Sequence, residues 1–571
     1  MRRTLPLLML LVLLATACGG STSSRPSSSA SAPDAPGAPK RIKSALMGDP
    51  PVLNLKLQST NVAGTDILEE LTNSGLATPD DRGQLQAQFA EAVPTIDNGL
   101  WKLLPEGKME TTWHIRPNAV WHDGAPFTSD DLLFTMDVVR DRQLPQFNNP
   151  AYNAVESIEA PDQRTIVVRW RQPYIYADTL FTRVLSMPLP RHLLEKPYTE
   201  ERATFTQLPY WAEEFVGIGP FKIREWVRGS YIILDANEAY VLGRPKIDGI
   251  DLRLIPDSST LASNVLAGEV ELTVGRNLSL EQAMQTGALW QAGKMQFGLR
   301  GWLVMFPQFL TPDPAVVANA RFRAALLHGT DRVQLAESLQ AGLVSAADGF
   351  LNPNEPDYPA VQSNVAKYAY DPRRGAEILE ELGYVKGGDG FYADSSGQRL
   401  AVEIRSTADN DIHHKSLFAV ADDWQRLGVT TEPMLIPIQR ANDREWRAMM
   451  PGFGLQQQPN DLGIVPRLLH STSAAVADTN YAGSGTAYSR YMNPEYDALL
   501  DRYATTIPKP DRVRVLGDIL KYQTENVLLM GMFYLAQPSL VGNRLRNVSP
   551  GGGTATQAFN AYLWDVGPPT R

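Results

Sequence analysis

Residues 112–136 read TWHIRPNAVWHDGAPFTSDDLLFTM. Three local signals follow one another along this run. From Thr112 to Arg116, Trp113 and Ile115 alternate with polar side chains, which predicts a strand with one buried face. Trp121 to Pro126 contains Asp123-Gly124, a pair that supplies the backbone freedom of a tight turn. Thr128 and Asp131 have the spacing of a capping box, and Leu132, Met136 and Val139 recur behind them at helical spacing. Together these signals predict a rigid corner of strand, turn and capped helix.

The wording of the run is also particular. It resembles the signature of the extracytoplasmic solute-binding proteins that serve ABC importers of peptides and nickel, the large family 5 type. Trp113, Arg116, His122, Asp123, Gly124, Pro126, Thr128, Asp130 and Asp131 carry the match. Trp121 stands where Phe is usual and Ser129 where Ala is usual. A second match runs through Asn237 to Tyr240, Gly243 to Lys246, Ile255 to Asp257 and Leu266 to Val270. Further matches are Gly217 to Phe221, the set Arg323, Ala324, Asp331 and Arg332, and Asn493-Pro494 with Asp497, Leu499 and Leu500. They extend from Leu46 to Val541.

The resemblance implies an α/β, two-lobed periplasmic-binding-protein-like fold of the large peptide-binding type, with an extra subdomain in the first lobe. The implied divisions are lobe I over 41–300 with its inserted subdomain, lobe II over 301–535, and a return to lobe I over 536–571. The chain is expected to cross between lobes near Phe297 to Phe309 and again near Met532 to Val541. In such proteins the 112–136 corner is scaffold that does not touch ligand.

The chain start reads as an address. Arg2 and Arg3 precede the apolar run Pro6 to Leu14, which is too short to span a bilayer, so residues 1–17 read as a signal peptide. Ala15-Thr16-Ala17 then precedes Cys18, the only cysteine among 571 residues. Small residues before a lone Cys resemble a bacterial lipobox, which makes Cys18 the expected lipidation site. One cysteine excludes an intrachain disulfide and any metal site built on two cysteines. The Ser-, Pro- and Ala-rich stretch up to residue 40 cannot bury a core and reads as a flexible tether. A monomer held by lipid at the extracytoplasmic membrane face is the expectation.

Length allows two or three domains with substantial cores. Hydrophobic residues at 43% and charged residues at 20% fit a soluble body. A net charge of −10 without a basic run disfavours nucleic acid as a partner. Neither H-E-x-x-H, G-x-S-x-G nor a phosphate-loop pattern is present. His413 and His414 are the one close histidine pair; neighbours on a helix point about 100° apart, so they read as solvated helix residues and not as joint metal ligands. Asp130-Asp131 and Asp422-Asp423 read as capping or solvated carboxylates. No enzyme activity, metal or cofactor is expected; a secreted hydrolase is the reading from another class.

Other local signals predict helices. Ile67 to Leu76 is expected to be one, ended by Gly75. Ser279 with Gln282, Asp371-Pro372 with Gly383, Leu417 to Leu427 with Gly428, and Asn493-Pro494 mark others.

The resemblance also implies where ligand sits. Peptide binders of this type hold the ligand amino terminus with an Asp in a G-W-x-x-D segment just before a helix. Here Gly463 to Ser473 resembles that helix, and an ungapped count back places Gln457 at the Asp position. A neutral amide lacks the charge that an ammonium group prefers. Asp461 is the one acidic residue between Phe453 and Ser473, so a short gap would make it the counter-ion. The candidate ligand-binding residues are Asn61, Trp302, Phe453, Gln456, Gln457, Gln458, Asn460, Asp461 and Tyr488. Trp302, Phe306, Phe453 and Tyr488 are candidate stacking faces, with core packing favoured for Phe306. An oligopeptide delivered to a permease and ATPase complex is the first expectation, a neutral oligosaccharide the second and a nickel chelate the third.

Overall fold

In this computed structural model the described residues are 39–57, 64–275, 278–408, 410–460, 462, 469–483 and 485–567. Cys18, Asn61 and Asp461 lie outside them, as does most of the Gly463 to Ser473 segment. Residues from Lys40 onward pack as one unit.

A ten-stranded sheet organises that unit. Its strands are β1 (Arg41–Leu46), β2 (Phe221–Val227), β3 (Tyr231–Ala236), β4 (Gly249–Leu254), β5 (Leu272–Thr273), β6 (Gly293–Pro307), β7 (Ala401–Thr407), β8 (Thr430–Ile436), β9 (Phe453–Gln458) and β10 (Met530–Gly542). Across the sheet they run β8-β7-β9-β6-β10-β5-β1-β4-β3-β2. The long strands β6 and β10 pair antiparallel from Gly293–Gly542 to Met305–Met530. On one side β6 carries β9, followed by the parallel strands β7 and β8. On the other side β10 meets β5, and β1 runs parallel to both β5 and β4. The β6/β10 ribbon is therefore the seam between two half-sheets.

Both faces of the ribbon are buried. Along β6, Trp302, Val304 and Phe306 enter one apolar cluster, while Leu303 and Met305 enter another on the opposite face. The second cluster packs Phe453 and Leu455 of β9 against Leu417, Val420 and Trp424 of the helix Asp411–Leu427. A two-sided core explains why this segment reads as a continuous apolar run without the alternation of a half-exposed strand.

The 112–136 corner forms in a separate four-stranded sheet. Strand Met109–His114 buries Met109, Thr111 and Trp113, and Ile115 just beyond it is also fully buried. Gly124 takes a left-handed φ of 90° in the turn. The helix Ser129–Arg140 follows. Asp131 organises its start: the carboxylate accepts the Thr128 N–H at 2.9 Å, the Arg191 N–H at 2.9 Å and the Trp121 indole N–H at 3.3 Å. Burial raises the pKa of this carboxyl, and the three donors oppose that rise.

His122 ties this corner to the Gly217–Phe221 turn. Its backbone N–H donates to the Gly217 carbonyl at 2.9 Å, and its Nδ1 accepts the Gly217 N–H at 3.4 Å. Its Nε2 lies 3.0 Å from the Gly219 carbonyl, so the ring is the neutral Nε2–H tautomer. Burial lowers its pKa to about 4. A Cβ on Gly219 would stand 2.4 Å from the Thr72 carbonyl carbon, so the turn requires glycine there.

Most expected helices are present: Leu280–Leu289, Pro372–Glu381, Asp411–Leu427 and Pro494–Thr505. One ends early. The helix expected to reach Leu76 runs from Thr65 to Thr72, and Asn73 is already extended. Gly75 serves close packing instead: a Cβ there would lie 2.6 Å from the Phe181 carbonyl oxygen.

Candidate functional site

Strand β9 carries three consecutive glutamines, and strand geometry separates them. Gln456 and Gln458 oppose Val304 and Trp302 of β6, while Gln457 opposes Leu303. Facing residues of an antiparallel pair share a side, so Gln456 and Gln458 lie on the Trp302 face and Gln457 on the Phe453 face. Gln456 and Gln458 are each 9% exposed, and Gln457 is open to solvent. The stretch is thus a strand of alternating amides.

The proposed aromatic stacking faces need correction. Phe453 is fully buried and meets Trp424 edge-on, with ring centroids 5.1 Å apart. Trp302 is buried on the opposite face, where its ring lies against Gly531. Rings on opposite faces of one sheet cannot sandwich one ligand. Tyr488 is also buried, with the Arg447 guanidinium 4.8 Å above its ring. Phe306 packs in the core, against Gly454.

His413 also departs from its expected solvated role. It is buried at the start of the helix Asp411–Leu427, while His414 is exposed. Its Nε2 accepts the backbone N–H of Gln457 at 2.8 Å. An accepting Nε2 leaves the proton on Nδ1, which donates to Thr407 Oγ1 at 2.8 Å. One neutral ring thereby fixes β9 to the end of β7.

The ribbon breaks its register beside Gln458. Between Leu299 and Trp302 the β6/β10 pairing shifts, leaving Arg300 and Gly301 in a bulge. Gly301 takes φ 86°, and a Cβ there would stand 2.6 Å from the Gln458 carbonyl oxygen. Its N–H donates to Asn460 Oδ1 at 3.0 Å. Asn460 is 4% exposed, and its buried Nδ2 has no partner among the described residues. Bulges re-aim side chains, and here Arg300 turns toward the helix Thr65–Thr72. Both of its terminal nitrogens lie 3.4 Å from Asp66 Oδ2. One turn along that helix Glu69 is buried, and burial raises its pKa to about 7 against the opposing pull of the Leu55 N–H, Arg183 and Lys56.

Asp66, Arg300, Gly301 and His413 were not candidates from sequence. Asp66 and Arg300 are 234 positions apart, and no local pattern joins them. A further bridge comes from the segment that follows the four-stranded sheet: the Tyr176 hydroxyl donates to the Leu462 carbonyl at 3.0 Å, and the Ile175 N–H to the Ala504 carbonyl at 3.1 Å. Among the described residues no three His, Cys, Asp or Glu side chains cluster as a metal site.

Comparisons with known proteins place this arrangement. The family model described as "Bacterial extracellular solute-binding proteins, family 5 Middle" matches residues 93–475. The oligopeptide-binding protein AppA of Bacillus subtilis is 24% identical over 465 residues, covering 80% of this chain and 78% of AppA. The structure of B. subtilis AppA in complex with a nonapeptide superposes with TM-score 0.67 at 18% identity, covering 93% of this chain and all of that one. The Thermus thermophilus oligopeptide-binding protein complexed with a pentapeptide superposes with TM-score 0.69 at 20% identity, covering 92% of this chain and 96% of that one. These superpositions establish the shared fold.

Proposed function

Because the chain belongs to the bacterial extracellular solute-binding proteins of family 5, we propose that it captures an oligopeptide and delivers it to an ABC importer. The observation that carries this reading is the family match across 93–475, joined to relatives that bind peptides. The half-sheets on either side of the β6/β10 ribbon are the two lobes of this reading, over 41–300 with 536–571 and over 301–535. The ribbon is their hinge. Closing two lobes over a ligand is a hinge motion, and the Tyr176–Leu462 and Ile175–Ala504 bonds join segments from the two sides.

An extended peptide is held largely through its main chain. Alternating amides supply donors and acceptors for that purpose without demanding particular side chains. The same neutral set, Gln456, Gln458 and Asn460, favours a second reading, a neutral oligosaccharide. Burial of Trp302, Phe453 and Tyr488 counts against it, because sugar rings are commonly held by exposed aromatic faces.

Thermal-shift screening of the full chain against peptide pools and oligosaccharide pools tests the choice. Peptide pools raise the melting temperature and sugar pools leave it unchanged; the reverse result replaces the peptide reading. Lipidation of Cys18 places this activity at the outer face of the membrane, with permease and ATPase as partners. Cys18→Ala then appears in the soluble fraction or as unprocessed precursor, and membrane retention equal to wild type removes the anchor.

A further inference from the structure

This inference rests on the peptide reading and concerns the backbone edge of β9. Successive residues of a strand turn their N–H and C=O groups to alternate sides. Parallel β7 accompanies β9 only from Ile404–Phe453 to Ser406–Leu455, whereas β6 follows it as far as Trp302–Gln458. From Gln456 to Gln458 the strand therefore keeps its β6 partner and loses its β7 partner. Gln457 is the residue there whose N–H and C=O turn to the vacated side. Leu455 has the same orientation two positions earlier, where its carbonyl accepts Ser406 Oγ at 2.7 Å. A strand edge of this kind is a template for an added extended chain. In this protein side chains occupy it. The Gln457 N–H donates to His413 Nε2 at 2.8 Å, and the Gln457 carbonyl accepts from Gln458 Nε2 at 2.9 Å.

We propose that His413 is a specificity-determining plug: it fills the rung of β9 with which the main chain of an extended peptide would otherwise pair, so the ligand meets Gln457 through its side-chain amide and not through its backbone. The ring is built in. It is 7% exposed, and its Nδ1–H donates at 2.8 Å to the hydroxyl of Thr407, the last residue of β7. Asn410 caps the helix that carries it, accepting the Ile412 N–H at 3.0 Å. A ring held at both nitrogens swings aside only by breaking two hydrogen bonds. The Gln458 amide is held as well, since a Cβ on Gly485 would stand 2.1 Å from its Oε1. The plug removes a contact that serves all peptides alike, because every peptide offers main-chain carbonyls. Selection at this point falls on the exposed Gln457 amide, which suits a ligand with a hydrogen-bonding side chain there.

The test combines titration calorimetry of the full chain against a pentapeptide pool with backbone hydrogen exchange along Phe453–Gln458, read by mass spectrometry. In wild type the Gln457 amide exchanges slowly with and without the pool. His413→Ala makes it exchange quickly in the free protein and slowly in the complex, and the pool binds about fivefold tighter, the scale of one added hydrogen bond. His413→Gln, which restores an acceptor, returns both readings toward wild type. A ring that only supports the fold gives the opposite sign, weaker binding by His413→Ala. Unchanged or weaker binding by that variant overturns the proposal while peptide binding stands. If the variants do not fold, wild type carrying isotope-labelled histidine decides the matter by magnetic resonance. A His413 Nε2 signal that the pool leaves unchanged supports the plug, and one that moves to that of an unbonded ring overturns it. Binding of no peptide by wild type overturns the peptide reading and this inference together.

Discussion

Gly301 and His122 are single residues whose chemistry the surrounding backbone dictates. Gly301 combines a left-handed φ with an approach to Gln458 that leaves no room for a Cβ. Gly301→Ala is expected to cost about 2 kcal/mol or more, read as a lower midpoint in denaturant unfolding. His122 is neutral in the fold because its Nδ1 accepts the Gly217 N–H and burial opposes a charge. Its pKa is about 4, against an ordinary 6.5, so the unfolded chain takes up the proton first. The stability it contributes is fully present above pH 6.5 and is lost as pH falls toward 4, a total of about 3 kcal/mol. Melting curves at pH 7, 6, 5 and 4 should show this decline, and His122→Asn should flatten it. An unflattened profile in that variant places the sensitivity elsewhere.

Caps and turns were legible in the sequence because their causes are local. Asp131 stands three residues from the backbone N–H it accepts, and Asn493 caps Glu495 and Tyr496 in the same way. Asp131→Ala removes the acceptor of three donors at once, two backbone N–H groups and the Trp121 indole. The expected loss is about 3 kcal/mol or more, measured by chemical denaturation. Asp130→Ala, at an exposed position, should change stability by less than about 0.5 kcal/mol. Other features depended on partners far along the chain. Helical periodicity shows that His413 and His414 face differently, but only the docking of their helix on β7 and β9 decides which is buried. The helix after Gly64 stops at Thr72 for a similar reason: the chain beyond it packs against Phe181 and the Gly217–Phe221 turn. On β6 both faces are apolar, so no alternation reveals which side Trp302 occupies. The fold class was therefore readable from the matched motifs, whereas the Arg300 bulge and its Asp66 partner required the tertiary structure.

The two half-sheets share one seam, and its strands come from distant parts of the chain. β6 occupies Gly293–Pro307 and β10 occupies Met530–Gly542. In the sheet, β10 sits between β6 and β5, near the middle of ten strands. Lobe closure in the proposed function bends this ribbon, so residues that set its register, Gly301 above all, bear on stability and on the reach of Arg300 toward Asp66. Strand order has a further consequence for how the protein is made. A ribosome delivers β10, which begins at Met530, long after β6 has emerged at Gly293–Pro307. Until then β6 has an unsatisfied edge facing β5, and the Trp302 and Leu303 faces lack the Tyr534 and Phe533 neighbours that cover them. The nascent chain consequently cannot close its central sheet until β10 has emerged. Chains terminated before Met530 should be protease-sensitive and aggregate, while chains ending after Val566 should resist proteolysis; a stably folded product ending before Met530 would show that the seam can form without its last strand.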